Sequence, residues 1–251
     1  MYEKTRYLTA GDSALVMEFG NEISKTVNEK VRALSYLIEE EKLEGISEIV
    51  PTYRSLMVHF DPFTKDFGAM VEQLKKMEKK LNKIQLPPPM VTEIPTLYGG
   101  EYGPDLTMVA EHSNLKEEEV IEIHSAPEYL IYMLGFTPGF PYFGGMDQRI
   151  STPRLEQPRT KIKGGSVGIA GTQTGIYSVD SPGGWRLIGW TPVKLYDLEA
   201  EKIFLLKAGN YVRFIPISER EYEEIKDSID NRSYQCVTYP REERGDDHGR
   251  D

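Results

Sequence analysis

Cysteine is almost missing from this chain of 251 residues. Cys236 stands alone, so no internal disulfide forms, cysteine-rich zinc or iron-sulfur sites are excluded, and a reducing compartment is expected. Histidine is nearly as scarce. The four present, at 59, 112, 124 and 248, include no pair four residues apart, the spacing that sets two metal ligands on one helical face. No apolar run approaches the roughly 18 residues of a membrane span, and Met1-Tyr2-Glu3-Lys4-Thr5-Arg6 lacks the apolar segment of a secretion signal. A cytoplasmic location is therefore expected. Positive charge is also short: 30 Lys and Arg face 40 Asp and Glu, and the net charge of -10 repels phosphate backbones and anionic lipid. Neither nucleic acid nor a membrane is expected as a partner. What remains, 39% hydrophobic and 28% charged residues, is the composition of an ordinary globular protein, of one large domain or two small ones at ~150 residues each.

The first 86 residues read as strands alternating with helices. Ala14 to Phe19 is a short apolar strand, and Ser24 can cap a helix on which Val27, Val31, Leu34 and Ile38 recur at helical spacing. Ile46 to Pro51 and Ser55 to Asp61 follow as strands, the second with Leu56, Val58 and Phe60 at period two and His59 on its opposite face. Thr64 then caps a second helix, with Phe67, Val71, Leu74 and Leu81 buried and a lysine cluster outside. The order β-α-β-β-α predicts a small ferredoxin-like domain.

Pro87-Pro88-Pro89 cannot continue that helix, since proline has no amide donor and holds extended geometry. Beyond this boundary a second domain is expected over residues 90–230. More than half of the 22 glycines fall between residues 135 and 189, in segments too short for long helices. Strands are predicted at Tyr129 to Leu134, Val167 to Ala170, Gly175 to Val179, Trp185 to Trp190, Val193 to Tyr196 and Tyr211 to Ile217, which implies a closed barrel or a sandwich. One inserted helix is expected to be capped by Asn114 and to end near His124. Ser218 and Glu221 make a capping box for a last helix. Residues 231–251 are expected to form a disordered charged tail, most clearly from Arg241 on, where apolar residues nearly vanish.

Gly164-Gly165-Ser166-Val167-Gly168 matches the nucleophile-elbow pattern, but the following residues start a helix poorly, so a strand turn is the better reading of Ser166. The same glycines resemble a phosphate loop without the Lys-Ser or Lys-Thr that a Walker loop needs. The densest group is Gly135 to Gly145, where Phe136, Phe140, Tyr142 and Phe143 alternate with Pro138, Gly139 and Pro141. Arg154, Arg159, Lys161 and Lys163 follow, and the stretch closes on Ser181-Pro182-Gly183-Gly184-Trp185. Guanidinium forks, free backbone amides and ring faces together suit a small carboxylate or phosphoryl group, received at the mouth of the barrel.

These same residues carry a resemblance that spans nearly the whole chain. Tyr98-Gly99-Gly100-Glu101-Tyr102-Gly103-Pro104-Asp105-Leu106, Gly135-Phe136-Thr137-Pro138-Gly139-Phe140, Pro158-Arg159, the run Gly165 to Tyr177 and Ser181 to Trp185 resemble the family of 5-oxoprolinase B subunits, also called the allophanate hydrolase subunit 1 or Kip inhibitor family. The resemblance implies an α+β protein whose second domain is a cyclophilin-like β-barrel. Two departures stand out: Lys163-Gly164 replaces a common Pro-Ala, and Trp190 takes the place of an arginine.

The resemblance further implies ATP-dependent opening of 5-oxoproline to glutamate, with no activity of this chain alone. Its partners would be the A and C subunits of that enzyme, A of the lactam-utilisation type and C homologous to this chain. ATP with magnesium would act in the assembled complex, none being intrinsic to this chain. The expected site pairs His124, Glu101 and Arg159 as catalytic residues with Phe136, Pro138, Gly139, Phe140, Arg154, Ser166, Gln173, Thr174, Gly183, Gly184 and Trp185 around the substrate. The principal alternative is inhibition of a sensor histidine kinase, and a third is a partner role in a urea or amide carboxyltransferase.

Overall fold

The three prolines at 87–89 lie at a division of the chain. The computed structural model describes residues 1–241 and falls into two units that meet between Pro87 and Pro88, each with its own apolar core.

The first unit runs β1 (Arg6–Thr9), β2 (Ala14–Glu18), α1 (Lys25–Glu41), β3 (Ile46–Pro51), β4 (Ser55–Phe60) and α2 (Phe67–Glu78). It opens with one strand more than the sequence suggested, because β1 is a four-residue edge strand, mostly exposed and too short to show a pattern. The sheet is antiparallel throughout, in the order β1-β2-β4-β3. α1 begins where the Ser24 hydroxyl accepts the Val27 N–H at 3.3 Å, and it ends at Lys42, whose φ of 45° is left-handed. Val27, Val31, Leu34 and Ile38 are buried in one cluster with Leu56, Val58 and Phe60 of β4, each worth about 1.5–3 kcal/mol of apolar burial. His59 is half-buried on the other face. α2 is capped by Asp66 rather than Thr64: Asp66 Oδ1 accepts the Ala69 N–H at 2.8 Å, while the Thr64 hydroxyl is held by Asp61. Glu78 of α2 ties the edges together, accepting the Tyr7 hydroxyl of β1 at 2.9 Å and the Lys30 ammonium of α1 at 2.6 Å.

The second unit contains β5 (Met90–Tyr98), α3 (Leu106–Ser113), α4 (Glu117–Ser125), β6 (Tyr129–Leu134), β7 (Pro141–Gly144), β8 (Arg159–Ile162), β9 (Ser166–Ala170) and β10 (Gln173–Ile176). It continues with β11 (Ser181–Gly183), β12 (Arg186–Trp190), β13 (Tyr211–Pro216), α5 (Glu219–Asp230) and β14 (Thr238–Pro240). The main sheet has the order β10-β9-β12-β5-β13-β6-β7, with β14 also on β5, and its end strands β10 and β7 come back against each other. The fold is thus mixed α+β with a nearly closed barrel. Its interior is filled by Ile94, Tyr129, Ile131, Val167, Ile169 and Phe214, which make a packed apolar core.

Several expected boundaries shift. Asn114 does not cap α4; its φ of 55° makes it the left-handed end of α3, and α4 starts at Lys116, whose N–H donates to Glu119 Oε2 at 2.8 Å. The stretch expected as a strand at Val193 to Tyr196 makes only the isolated bridge Tyr196 to Phe204. The capping box of α5 forms as predicted, Ser218 N–H donating to Glu221 Oε2 at 2.8 Å. The expected disorder from residue 231 is corrected at Thr238–Pro240, which extends the sheet beside Met90 to Thr92. Residues 242–251 lie outside the described residues. No helix among those described is long and apolar enough to cross a membrane.

Candidate functional site

β9 is buried on both faces, and this decides where the site lies. Val167 and Ile169 enter the barrel core, whereas Ala170 faces a second cluster made with Phe140, Ile162, Tyr177, Trp185 and Leu187. Because strand residues alternate between faces, the second cluster covers the outer surface of the barrel wall. The ribbon of β8 and β11 supplies Ile162 to it. The pocket-building residues singled out by sequence therefore meet on the barrel's flank and not at its mouth.

Phe140 is the hub: its ring lies 5.4–5.7 Å, edge to face, from Tyr142, Tyr177 and Trp185. Gly183 lets this layer close, since a Cβ there would stand 2.2 Å from the Tyr177 hydroxyl. Gly184 follows at the end of β11, within 3.6 Å of Pro158 by the same construction. At the rim, Thr137 N–H donates to the Gly135 carbonyl at 2.7 Å, a γ-turn centred on Phe136 with φ of 62°. That conformation costs a non-glycine residue about 1–2 kcal/mol, and here it holds a ring that is 66% exposed. Pro138 is exposed beside it and Gly139 buried.

The two arginines differ in their commitments. Arg159 donates to Asp105 Oδ1 at 2.9 Å and to the Trp185 carbonyl at 3.2 Å. Asp105 Oδ2 in turn accepts the Leu187 N–H at 2.7 Å, so one buried carboxylate fastens the β5–α3 loop to β8 and β12. Arg159, expected to stabilise charge on a substrate, is held in an ion pair with a partner 54 residues earlier in the chain. Arg154 is exposed, lies 6.0 Å over the Trp185 ring and has no ion-pair partner among the described residues. Burial raises the Tyr177 phenol, against the pull of both guanidinium groups.

His124 is fully buried in α4. The Thr174 hydroxyl donates to the Gly168 carbonyl at 3.1 Å, which leaves its oxygen to accept from His124 Nε2 at 2.7 Å; Nδ1 then accepts the Tyr98 hydroxyl at 2.8 Å. This assignment of the tautomer follows from the network. Burial lowers the imidazole pKa to about 3, so the ring stays neutral at ordinary pH. Of the residues expected at the site, His124 is thus a sealed imidazole bonded through both nitrogens, and Thr174 is one of its two partners. Gln173, half-buried, opens β10.

A cavity of ≈ 290 Å³ opens on the other side of Ile162 and Leu187. Its working groups are Glu101, Tyr102, Lys161, Lys163, Ser166 and Trp190. Lys161 is committed to Asp180 at 2.9 Å, whereas Lys163 stands 5.4 Å over the Trp190 ring without an ion-pair partner among the described residues. Trp190 and Ser166 are cross-strand partners. The indole N–H donates to the Gly164 carbonyl at 2.8 Å, and Gly165, with φ of +91°, passes so close that a Cβ would sit 2.2 Å from that nitrogen. Tyr102 backs the indole at 5.6 Å, its phenol raised first by burial and then by the Glu101 carboxylate. Of the expected site residues, Glu101 and Ser166 border this cavity. Sequence reasoning named Lys163 only among the basic residues of the binding region and passed over Trp190 as a site residue, although their singular places in otherwise familiar motifs were the available signal.

Among the described residues no group of three or more His, Cys, Asp or Glu is placed to hold a metal ion, and the β8–β9 turn lacks the Lys-Ser or Lys-Thr of a triphosphate loop. Neither observation identifies a site for a magnesium nucleotide among these residues.

The family model for the carboxyltransferase domain, subdomain C and D, matches residues 5–206. The B subunit of 5-oxoprolinase from Bacillus subtilis (strain 168) is 44% identical over 227 residues, 86% of this chain and 95% of that protein. The corresponding 5-oxoprolinase B subunit from Escherichia coli O157:H7 is 35% identical over 86% of this chain and 98% of its own length. Among solved structures, the crystal structure of TTHA0988 superposes with a TM-score of 0.74 at 36% identity, covering 82% of this chain and 40% of that longer one.

Proposed function

The chain belongs to the family of carboxyltransferase-domain subdomains C and D, and from that premise we propose that it is the B subunit of an ATP-dependent 5-oxoprolinase, inactive alone and completed by the A and C subunits. The fold we assign is a ferredoxin-like first domain and a cyclophilin-like barrel over residues 90–230. A five-membered lactam is a resonance-stabilised amide, and ATP serves in the assembled complex by turning the amide oxygen into a leaving group before water adds. The part we assign to this chain's own residues lies outside that nucleotide chemistry. What they supply is recognition: a carboxylate-bearing ring needs a cation free to bind it and apolar faces that exclude water.

The observation that carries the reading is the rim of the aromatic cluster, where strained, exposed Phe136 and unpaired Arg154 flank the rings of Phe140 and Trp185. Strain held at an exposed aromatic marks a contact made with something outside the chain. Phe136, Pro138 and Arg154 are the groups we assign to that contact, made with a partner subunit rather than with the ring acid; Gly139, Gly183, Gly184 and Arg159 hold them in place. Reconstitution tests the reading: the purified chain should release no glutamate from 5-oxoproline and ATP, and the trio formed with its A and C partners should. An inactive trio would remove the 5-oxoprolinase assignment. Loss of autophosphorylation in a sensor histidine kinase on adding the chain alone would replace it with a regulatory role.

A further inference from the structure

Charge in the second unit is mostly spoken for near the β8–β9 turn. Lys161 is paired with Asp180, Asp180 Oδ1 also accepts the Gly164 N–H at 2.9 Å, and Arg159 is paired with Asp105. Lys163 is the exception, a cation resting on the Trp190 ring at the edge of the ≈ 290 Å³ cavity. Inside the same cavity the Ser166 side chain belongs to a residue only 7% exposed, and Glu101 meets it from the β5–α3 loop, neither with an ion or hydrogen-bond partner for its side chain among the described residues. The cavity is thus bordered by a cation that has no ion pair among the described residues, although its field also reaches Asp180, by the exposed Glu101 carboxylate, by the Ser166 hydroxyl and by an indole wall fixed by its bond to Gly164.

We propose that this cavity is a binding subsite for a small cyclic amide acid: Lys163 takes the carboxylate, Ser166 hydrogen-bonds it or the amide oxygen, Glu101 accepts the amide N–H, and Trp190 covers the ring. The volume lies at the small end of the roughly 300–1,000 Å³ of ligand pockets, fit for a single-ring metabolite and too small for a nucleotide triphosphate. A carboxylate prefers a cation that has no ion pair to give up, which selects Lys163 over Lys161 and Arg159; Arg154 is equally without an ion pair among the described residues but does not line this cavity. The choice of ring acid rests on the 5-oxoprolinase reading; the choice of cavity does not.

Two measurements separate the subsite from that reading. In the reconstituted trio, Lys163→Met is expected to raise KM for 5-oxoproline on the order of tenfold with kcat within a factor of about two, and Lys163→Arg to recover most of the loss. On the purified chain, 5-oxoproline is expected to change tryptophan fluorescence saturably. Lys163→Met should abolish that change, and 2-pyrrolidinone, which lacks the carboxylate, should not reproduce it. An active trio whose KM is indifferent to Lys163→Met overturns the subsite and leaves the 5-oxoprolinase assignment intact. An inactive trio, from a chain that still binds 5-oxoproline through Lys163, leaves the subsite and removes the assignment. A trio that is inactive and a chain that does not bind overturn both.

Discussion

Two patches of the barrel's flank, divided by Ile162 and Leu187, use the same residue types to opposite ends. On one side Arg159 is locked to Asp105 and the rings of Phe140, Tyr177 and Trp185 are packed shut; on the other Lys163 is unpaired and Trp190 borders a cavity. A cation with an internal partner builds structure, while one left without a partner remains available to a ligand. The same division separates Arg159 from Arg154, a short way apart in sequence.

The sharpest way to break the comparison is Asp105→Ala, which removes a buried acceptor for Leu187 N–H and strands the Arg159 charge. We expect a loss of about 2–4 kcal/mol in the second unit, discounted for the 30% exposure of the Arg159 side chain, read as a fall of several degrees in the melting transition. An unchanged melting curve would refute the structural role of the pair. Arg159→Ala should also destabilise, contrary to a purely chemical role.

The next effect is a pH slope. His124 has a folded pKa of about 3 against an ordinary value near 6.5, so the unfolded chain binds the proton more readily between those values. Its contribution is whole above about pH 6.5 and is lost as pH falls toward 3, by roughly 1.4 kcal/mol per unit within the window. Carboxylates titrate in both proteins, so the difference in stability between the native chain and His124→Gln should shrink steadily on acidification. A difference constant from about pH 7 to 4 would contradict a neutral buried imidazole.

Arg154→Ala should cost no more than about 0.5–1 kcal/mol of stability, the worth of an exposed cation over a ring, while lowering turnover of the trio. Lys163→Met should do least to the fold, within about 0.5 kcal/mol by chemical denaturation, although its effect on ligand binding is the largest of the set. If Lys163→Met destabilised the chain as much as Asp105→Ala, the contrast between the two patches would collapse.

Periodicity and capping were legible without coordinates. The stripe on α1 with its Ser24 cap, the box at Ser218 and Glu221, and the alternation on β4 each depend on neighbours within a few residues. β5 was not, because its nine residues are nearly all buried, carry Pro95 and show no alternation, although the strand lies at the centre of the sheet. Asp66 displaced Thr64 as a cap for a similar reason: both are good caps two residues apart, and the hydrogen bonds of Asp61 decide between them.

The candidate site divides in the same way. Glycine, proline, aromatic and basic residues between 135 and 190 announced a binding region, since such turns build clefts, and the sequence could say that much unaided. It could not say which charges are free. Arg159 meets Asp105, and His124 meets Thr174, across 54 and 50 residues of chain, and Lys163 escapes pairing while Lys161 does not. Local sequence sets what each residue can do; partners brought together only by closure of the barrel wall decide whether a charge is consumed in holding the fold or left for a ligand.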